Sequence, residues 1–175
     1  MVRPATILRI RLTANFPYIR PMKITLIRLG KLHLPFAQSG YDEYAKRLQH
    51  YVKFTDELLT VNSKSKDIDQ IKKVEADAIL KKLQATDYVV LLDEKGKTYS
   101  SENFANYLTQ MQLKTQHLIF IIGGAYGFDE RIYSRANSQL SISSFTFSHQ
   151  LVPLIFGEQL YRAFTIIKGE PYHHA

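Results

Sequence analysis

Short apolar runs and helical stripes alternate along this chain. "KITLIRL" (23–29) is β-rich and stops at Gly30, and "FTDELLTV" (54–61) reads as a second strand. "DYVVLLD" (87–93) and "HLIFII" (117–122) are continuous apolar runs, the pattern of strands buried on both faces in parallel sheets. "LSISSFTF" (140–147) is expected to be a further strand. Between the runs the period changes. "LPFAQSG" (34–40) reads as loop, and a helix follows with Tyr41, Tyr44, Ala45, Leu48 and Tyr51 on one stripe. Asp42 and Glu43 fall in its expected first turn, where the helix dipole favours acids. Asp67 is the expected N-cap of a helix to about Gln84, striped by Ile68, Ile71, Val74, Ala78, Ile79 and Leu83. "EKGK" (94–97) is expected to turn, Ser100 or Ser101 to cap a helix to about Thr115, and residues 129–136 to form a short helix. A last helix is expected over 149–167. This alternation predicts an α/β fold, a mainly parallel sheet sandwiched by helices, with ligands at the carboxyl ends of the strands.

Composition narrows the chemistry. With 175 residues, 45% of them apolar, one domain with its own core is expected. There is no apolar run of membrane-spanning length. There is no cysteine, which removes disulfides, thiolate metal sites and thiol nucleophiles together. The six histidines show no His-x-x-x-His spacing, and no metal site is expected. A net charge of +7 would suggest nucleic acid, but Arg3, Arg9, Arg11 and Arg20 lie in residues 1–21, which hold no acid. The remainder is only mildly basic. The leader is similar in composition to an organellar transit peptide. It reads better as an upstream extension outside the fold, because Met22 directly precedes the first strand, giving a domain over 22–175.

Two glycine motifs suggest phosphate and fail on spacing. "GGAYG" (123–127) follows the fourth expected strand and lacks the G-x-G-x-x-G order of a dinucleotide fold; "EKGKT" has Leu91 where a phosphate loop needs its first glycine. What remains is a set of strand ends: Leu92 and Asp93, Gly123 and Gly124, and Ser143 to Phe147. Bare backbone there can hold the edge of an adenine without a charged side chain; the alternative reading is that the glycines simply turn the chain. The last helix carries Leu151, Val152, Leu154, Ile155, Phe156, Leu160, Phe164 and Ile167 on more than one face, so its own sheet and a second subunit could both cover it. Glu158 and Arg162, four residues apart, can pair; alternatively Arg162 serves a phosphate or base. The closing "GEPYHHA" is either a frayed end or an aromatic and imidazole cluster suited to base stacking and proton handling.

The order "VVLLD", "FIIGGAYGF", "SSFTFSHQLVPLIFGEQLYRAFTIIKGEPYHH" resembles the ribosomal large-subunit RNA methyltransferase H family, of the trefoil-knotted SPOUT class. The resemblance covers Met22 to Ala175. It implies a deep trefoil knot in the C-terminal half and methyl transfer from S-adenosylmethionine to N3 of a pseudouridine in 23S ribosomal RNA. It also implies action on assembled ribosomes, by a homodimer, in the cytoplasm. Carried over by position, cofactor contacts fall on Leu92, Gly123, Ile142, Ser143, Ser144, Phe145, Thr146 and Phe147. His173 is the expected general base, Tyr172 the residue that stacks on or orients the target base, and Arg162 the cation that steadies phosphate or developing charge. His149 would cap the last helix or touch substrate. Two departures from the family stand out: Ala125 and Tyr126 replace a Pro-Glu pair, and His174 replaces an arginine. Rival readings are a non-catalytic ribosome-docking protein using Lys64, Lys66, Lys72 and Lys73, and a knotted methyltransferase acting on transfer RNA.

Overall fold

The computed structural model describes residues 21–61 and 65–173. The leader up to Arg20, Lys64 and His174 lie outside the described residues. The elements run β1 (Lys23–Leu29), α1 (Pro35–Leu48), β2 (Lys53–Leu59), α2 (Ile68–Leu80) and β3 (Tyr88–Lys97). They continue with α3 (Ser101–Lys114), β4 (His117–Ile122), α4 (Glu130–Arg135), β5 (Ser138–Leu140) and α5 (Val152–Lys168). The strands form one sheet in the order β2-β1-β4-β3-β5, and every pairing is parallel. Leu92 of β3 is register partner to both Ile122 and Leu140, so β4 and β5 end level with one another beside it, while β3 runs on to Lys97.

Strand alternation divides the core into two layers. Ile24, Leu26, Val90, Leu118 and Phe120 face α1, α3 and α5, where Tyr41, Leu108, Phe156 and Leu160 close the packing. Ile27, Val89, Leu91, Ile119 and Ile121 face α2 and α4, against Ala76, Ile79, Phe128 and Ile132. Two polar centres are built into this frame. At the carboxyl end of β1, Arg28 makes a two-pronged contact with Asp56 on β2 (2.9 and 2.8 Å) and lies 5.0 Å from the Tyr41 ring. At the opposite, amino-terminal edge, Asp87 accepts from His117 Nδ1 (2.8 Å), which leaves His117 Nε2 to accept from Thr25 (2.8 Å). Thr25 is only 2% exposed, so this Asp-His-Thr order staples three strands and offers no nucleophile.

The expected caps appear at Asp67 and Ser100, and Asp129 caps α4 in the same way; their side chains accept from Asp69, Asn103 and Arg131 main-chain N–H groups. Five boundaries need correction. Helix α1 begins at Pro35, with proline in its first turn, so most of the expected loop is helical and Asp42 and Glu43 lie mid-helix. Gly40 is tolerated there because Leu154 of α5 fills the space a side chain would take, 2.9 Å from its Cβ position. Helix α2 ends at Leu80 and leaves Ile68 exposed. "EKGK" belongs to β3, which shifts register so that Leu92 and Lys97 both align with Leu140. The strand expected over 140–147 is confined to β5. Beyond it Ser141 Oγ donates to Ser143 O (2.8 Å) and Ser143 Oγ accepts from Phe145 N (3.0 Å); serines that bond the local main chain compete with a ladder. Helix α5 starts at Val152 instead of 149, after the turn closed by Leu151 N to Ser148 O.

Candidate functional site

A cleft of about 740 Å³ opens where β4 and β5 end beside Leu92 of β3. Its size suits a small organic ligand. Leu92 and Ile122 reach it from the strand ends, Gly123 to Phe128 from the loop after β4, and Ser141 to His149 from the segment after β5. Of the residues expected to hold a cofactor, Leu92, Gly123, Ile142, Ser143, Phe145, Thr146 and Phe147 line this cleft; Ser144 is exposed and does not. The apolar floor of Leu92, Ile122 and Ile142 with Asp93, Ser143 and Thr146 beside it fits a flat heterocycle carrying a polar ribose.

The loop after β4 owes its glycines to its packing. A Cβ on Gly123 would lie 3.0 Å from the Phe128 ring, and one on Gly124 would lie 2.5 Å from the Glu75 carboxylate of α2. The two glycines therefore serve contacts behind the loop as well as an open wall. Burial against this loop raises the Glu75 pKa above the ordinary carboxylate value. Gly127 N bonds to Gly124 O (3.2 Å), and Gly127 adopts φ +74°, which completes a tight turn with Ala125 and Tyr126 at its corner.

Sequence reasoning did not place Tyr133 or Lys72 at this opening, and it left His149 open between a cap and a substrate contact. Tyr133 arrives from α4 and donates to Asp93 (2.7 Å); burial and then that carboxylate push its hydroxyl up to about 12. Lys72 arrives from α2. His149 lines the cleft and does not cap α5, whose N-cap is Leu151 without a side-chain bond. No spacing rule joins these positions, because separate crossovers deliver them. The structure also places Lys66 and Lys73 on the exposed surface, where Lys73 O accepts from Arg131.

Arg162, Tyr172 and His173 gather elsewhere. Among the described residues none of the three lines the cleft. Glu158 accepts from Arg162 Nε (3.0 Å) and from the Tyr172 hydroxyl (3.2 Å), while the Arg162 guanidinium lies 4.8 Å from the Tyr172 ring centroid. Burial, then Tyr44 and Glu158, raise the Tyr172 pKa. His173 Nε2 lies 2.7 Å from Glu102 Oε1 at the start of α3, and its Nδ1 is buried without a partner. The expected Glu158 and Arg162 pair therefore exists, and it also gathers Tyr172.

Among the described residues no group of three or more His, Cys, Asp or Glu side chains could hold a metal ion, and no helix is long and apolar enough to cross a membrane. The profile of the family described as "Predicted SPOUT methyltransferase" matches residues 22–173. The chain is similar to a Christiangramia forsetii protein named ribosomal RNA large subunit methyltransferase H, 49% identical over 87% of this chain and 99% of that protein. A Flavobacterium johnsoniae protein of the same name is 48% identical over the same shares. One from Cytophaga hutchinsonii is 44% identical over 87% of this chain and all of that protein.

Proposed function

Since the chain belongs to the SPOUT methyltransferase family, we propose that it methylates N3 of a pseudouridine in large-subunit (23S) ribosomal RNA, using S-adenosylmethionine. The relatives' names supply the substrate class. The observation that carries the reading is the cleft where β4 and β5 end beside Leu92 of β3, which brings together Leu92, Gly123 and the segment after β5 from separate parts of the chain. Residues 22–175 form the catalytic domain, with a trefoil knot in the C-terminal half and residues 1–21 outside it. The action is on assembled ribosomes in the cytoplasm.

Leu92, Gly123, Ile142, Ser143, Phe145, Thr146 and Phe147 would hold the cofactor, which supplies a methyl group already activated on a sulfonium. The chain then has to align the base and remove one proton. N3 of the uracil ring gains a bond to carbon as its N–H proton leaves, and His173 takes that proton. Arg162 balances negative charge on the phosphate or on the uracil oxygens, and Tyr172 orients the base. Alignment of this kind supplies roughly 7 to 11 kcal/mol in favourable cases. Because the trio lies apart from the cleft within one chain, the working unit is a homodimer in which the tail of one copy faces the cleft of the other.

Labelled methyl transfer tests this reading. Incorporation is expected into ribosomes lacking the modification, and not into free transfer RNA. Transfer RNA as the sole acceptor would overturn the substrate. No incorporation together with no cofactor binding would leave the docking reading, with Lys66, Lys72 and Lys73 as its surface.

A further inference from the structure

Three aromatic rings stand exposed on the rim of the cleft. Tyr126 is 52% exposed, Phe145 78% and Phe147 37%, and all three line the same opening. They come from two loops that are braced internally. The Gly124 to Gly127 turn displays Tyr126, and the Ser143 side chain, bonded to Phe145 N, fixes the base of Phe145. Leaving such side chains in water forgoes a large burial energy, and a braced loop gives them no route inward. Among the described residues the large exposed apolar side chains on this rim are all rings, with the small Ala125 beside them. Such rings suit the flat face of a nucleobase, which stacks on aromatic side chains irrespective of sequence.

We propose that Tyr126 and Phe145 form an aromatic lip that receives the extruded target base and stacks on it at the mouth of the cleft. This inference rests on the methyltransferase reading above. A base that accepts a methyl group must come within about 3 to 3.5 Å of it. A pyrimidine held in a helix must leave its stack to do so. The path to the ligand in the cleft crosses this rim, and the rings replace the stacking lost. Tyr126 gains a role through this geometry, and Ala125 leaves its neighbour's ring unobstructed. The acids Asp93, Glu94 and Glu130 line the cleft together with Lys72 and Lys95, so its charges largely offset one another and the lip works by stacking.

Tyr126→Ala and Phe145→Ala, assayed on ribosomes lacking the modification, test the lip. Each is expected to raise KM for ribosomes about tenfold or more. Calorimetric affinity of Tyr126→Ala for S-adenosylmethionine should change less than twofold, and Tyr126→Phe should keep the wild-type KM; Phe145→Ala, in the cofactor loop, is compared at saturating cofactor. Because the chain contains no tryptophan, Tyr126→Trp adds a single fluorophore. An oligouridylate is expected to quench it in the presence of S-adenosylhomocysteine. An unchanged KM in both alanine variants overturns the lip while wild-type turnover keeps the methyltransferase reading intact. An equal loss of cofactor affinity in Tyr126→Ala would make its ring part of the cofactor site instead. A shift in oligomeric state on gel filtration would make them a contact between copies. Failure of the wild type to methylate ribosomes would overturn both.

Discussion

The His173 imidazole rests 2.7 Å from the Glu102 carboxylate, joining the C-terminal tail to the first turn of α3. Main-chain hydrogen bonding at the helix start, then His173 and Ser100, hold the Glu102 pKa down to about 2, against an ordinary 4.5. A depressed carboxylate pKa means that the native state favours the charged form. The stabilising contribution is complete above 4.5 and disappears as pH falls through the folded value. Tail docking should therefore weaken between about pH 4.5 and 2, and Glu102→Gln should abolish that dependence. Side-chain NMR titration of Glu102 checks this; a midpoint near 4.5 would sever the link.

His173→Ala should lower turnover at saturating cofactor by at least a hundredfold, the low end for a positioned proton acceptor. Its calorimetric affinity for S-adenosylmethionine should be that of the wild type. Near-normal turnover on ribosomes lacking the modification would remove His173 from the chemistry.

Gly123 and Gly124 should respond differently to substitution. At Gly123 a branched side chain meets the Phe128 ring, itself buried, so Gly123→Val should displace the loop and remove S-adenosylmethionine binding. At Gly124 the obstruction is the far end of the Glu75 side chain, which can rotate away. Gly124→Ala should keep most of the affinity. Calorimetry on both variants decides it, and equal losses would contradict the packing argument.

Asp56→Ala should destabilise the fold by about 3 to 5 kcal/mol, because it leaves a buried guanidinium without its counter-ion. The Arg28 side chain is 6% exposed and already has one nitrogen, Nη1, without a partner. Removing both charges, Arg28→Met with Asp56→Leu, should recover most of the loss in urea denaturation. Additive losses would show that the pair is not coupled.

Gly96→Ala should cost at least about 2 kcal/mol, the scale of forced overpacking. A Cβ there would sit 2.5 Å from Leu140 main-chain atoms, which cannot swing aside as a side chain can. Thermal unfolding measures it, and a change under 0.5 kcal/mol would mean that the bulge in β3 relaxes freely.

The parallel frame was legible because β3 and β4 carry unbroken apolar runs that only a doubly covered strand needs. Helix starts at Asp67, Ser100 and Asp129 were legible because a capping side chain acts within three residues. Gly40 looked like a loop residue because its compensating partner, Leu154, is far away in sequence. The 140–147 segment has strand-like composition, but Ser141 and Ser143 bind their own neighbourhood instead. At the cleft, the three strand ends could be listed from the sequence once the sheet was taken as parallel. Tyr133, Lys72 and the partners of the tail, Glu102 and Tyr44, could not, since their placement depends on how helices cross the sheet.

The serine-braced segment after β5 also bears on how the cleft binds. Its turns are closed by bonds within the segment, so the wall has its shape before any ligand arrives. A preorganised wall has little conformational entropy left to lose. Ser143→Ala, which leaves the cleft's lining otherwise intact, would convert part of that saving into an ordering cost, visible as a less favourable binding entropy.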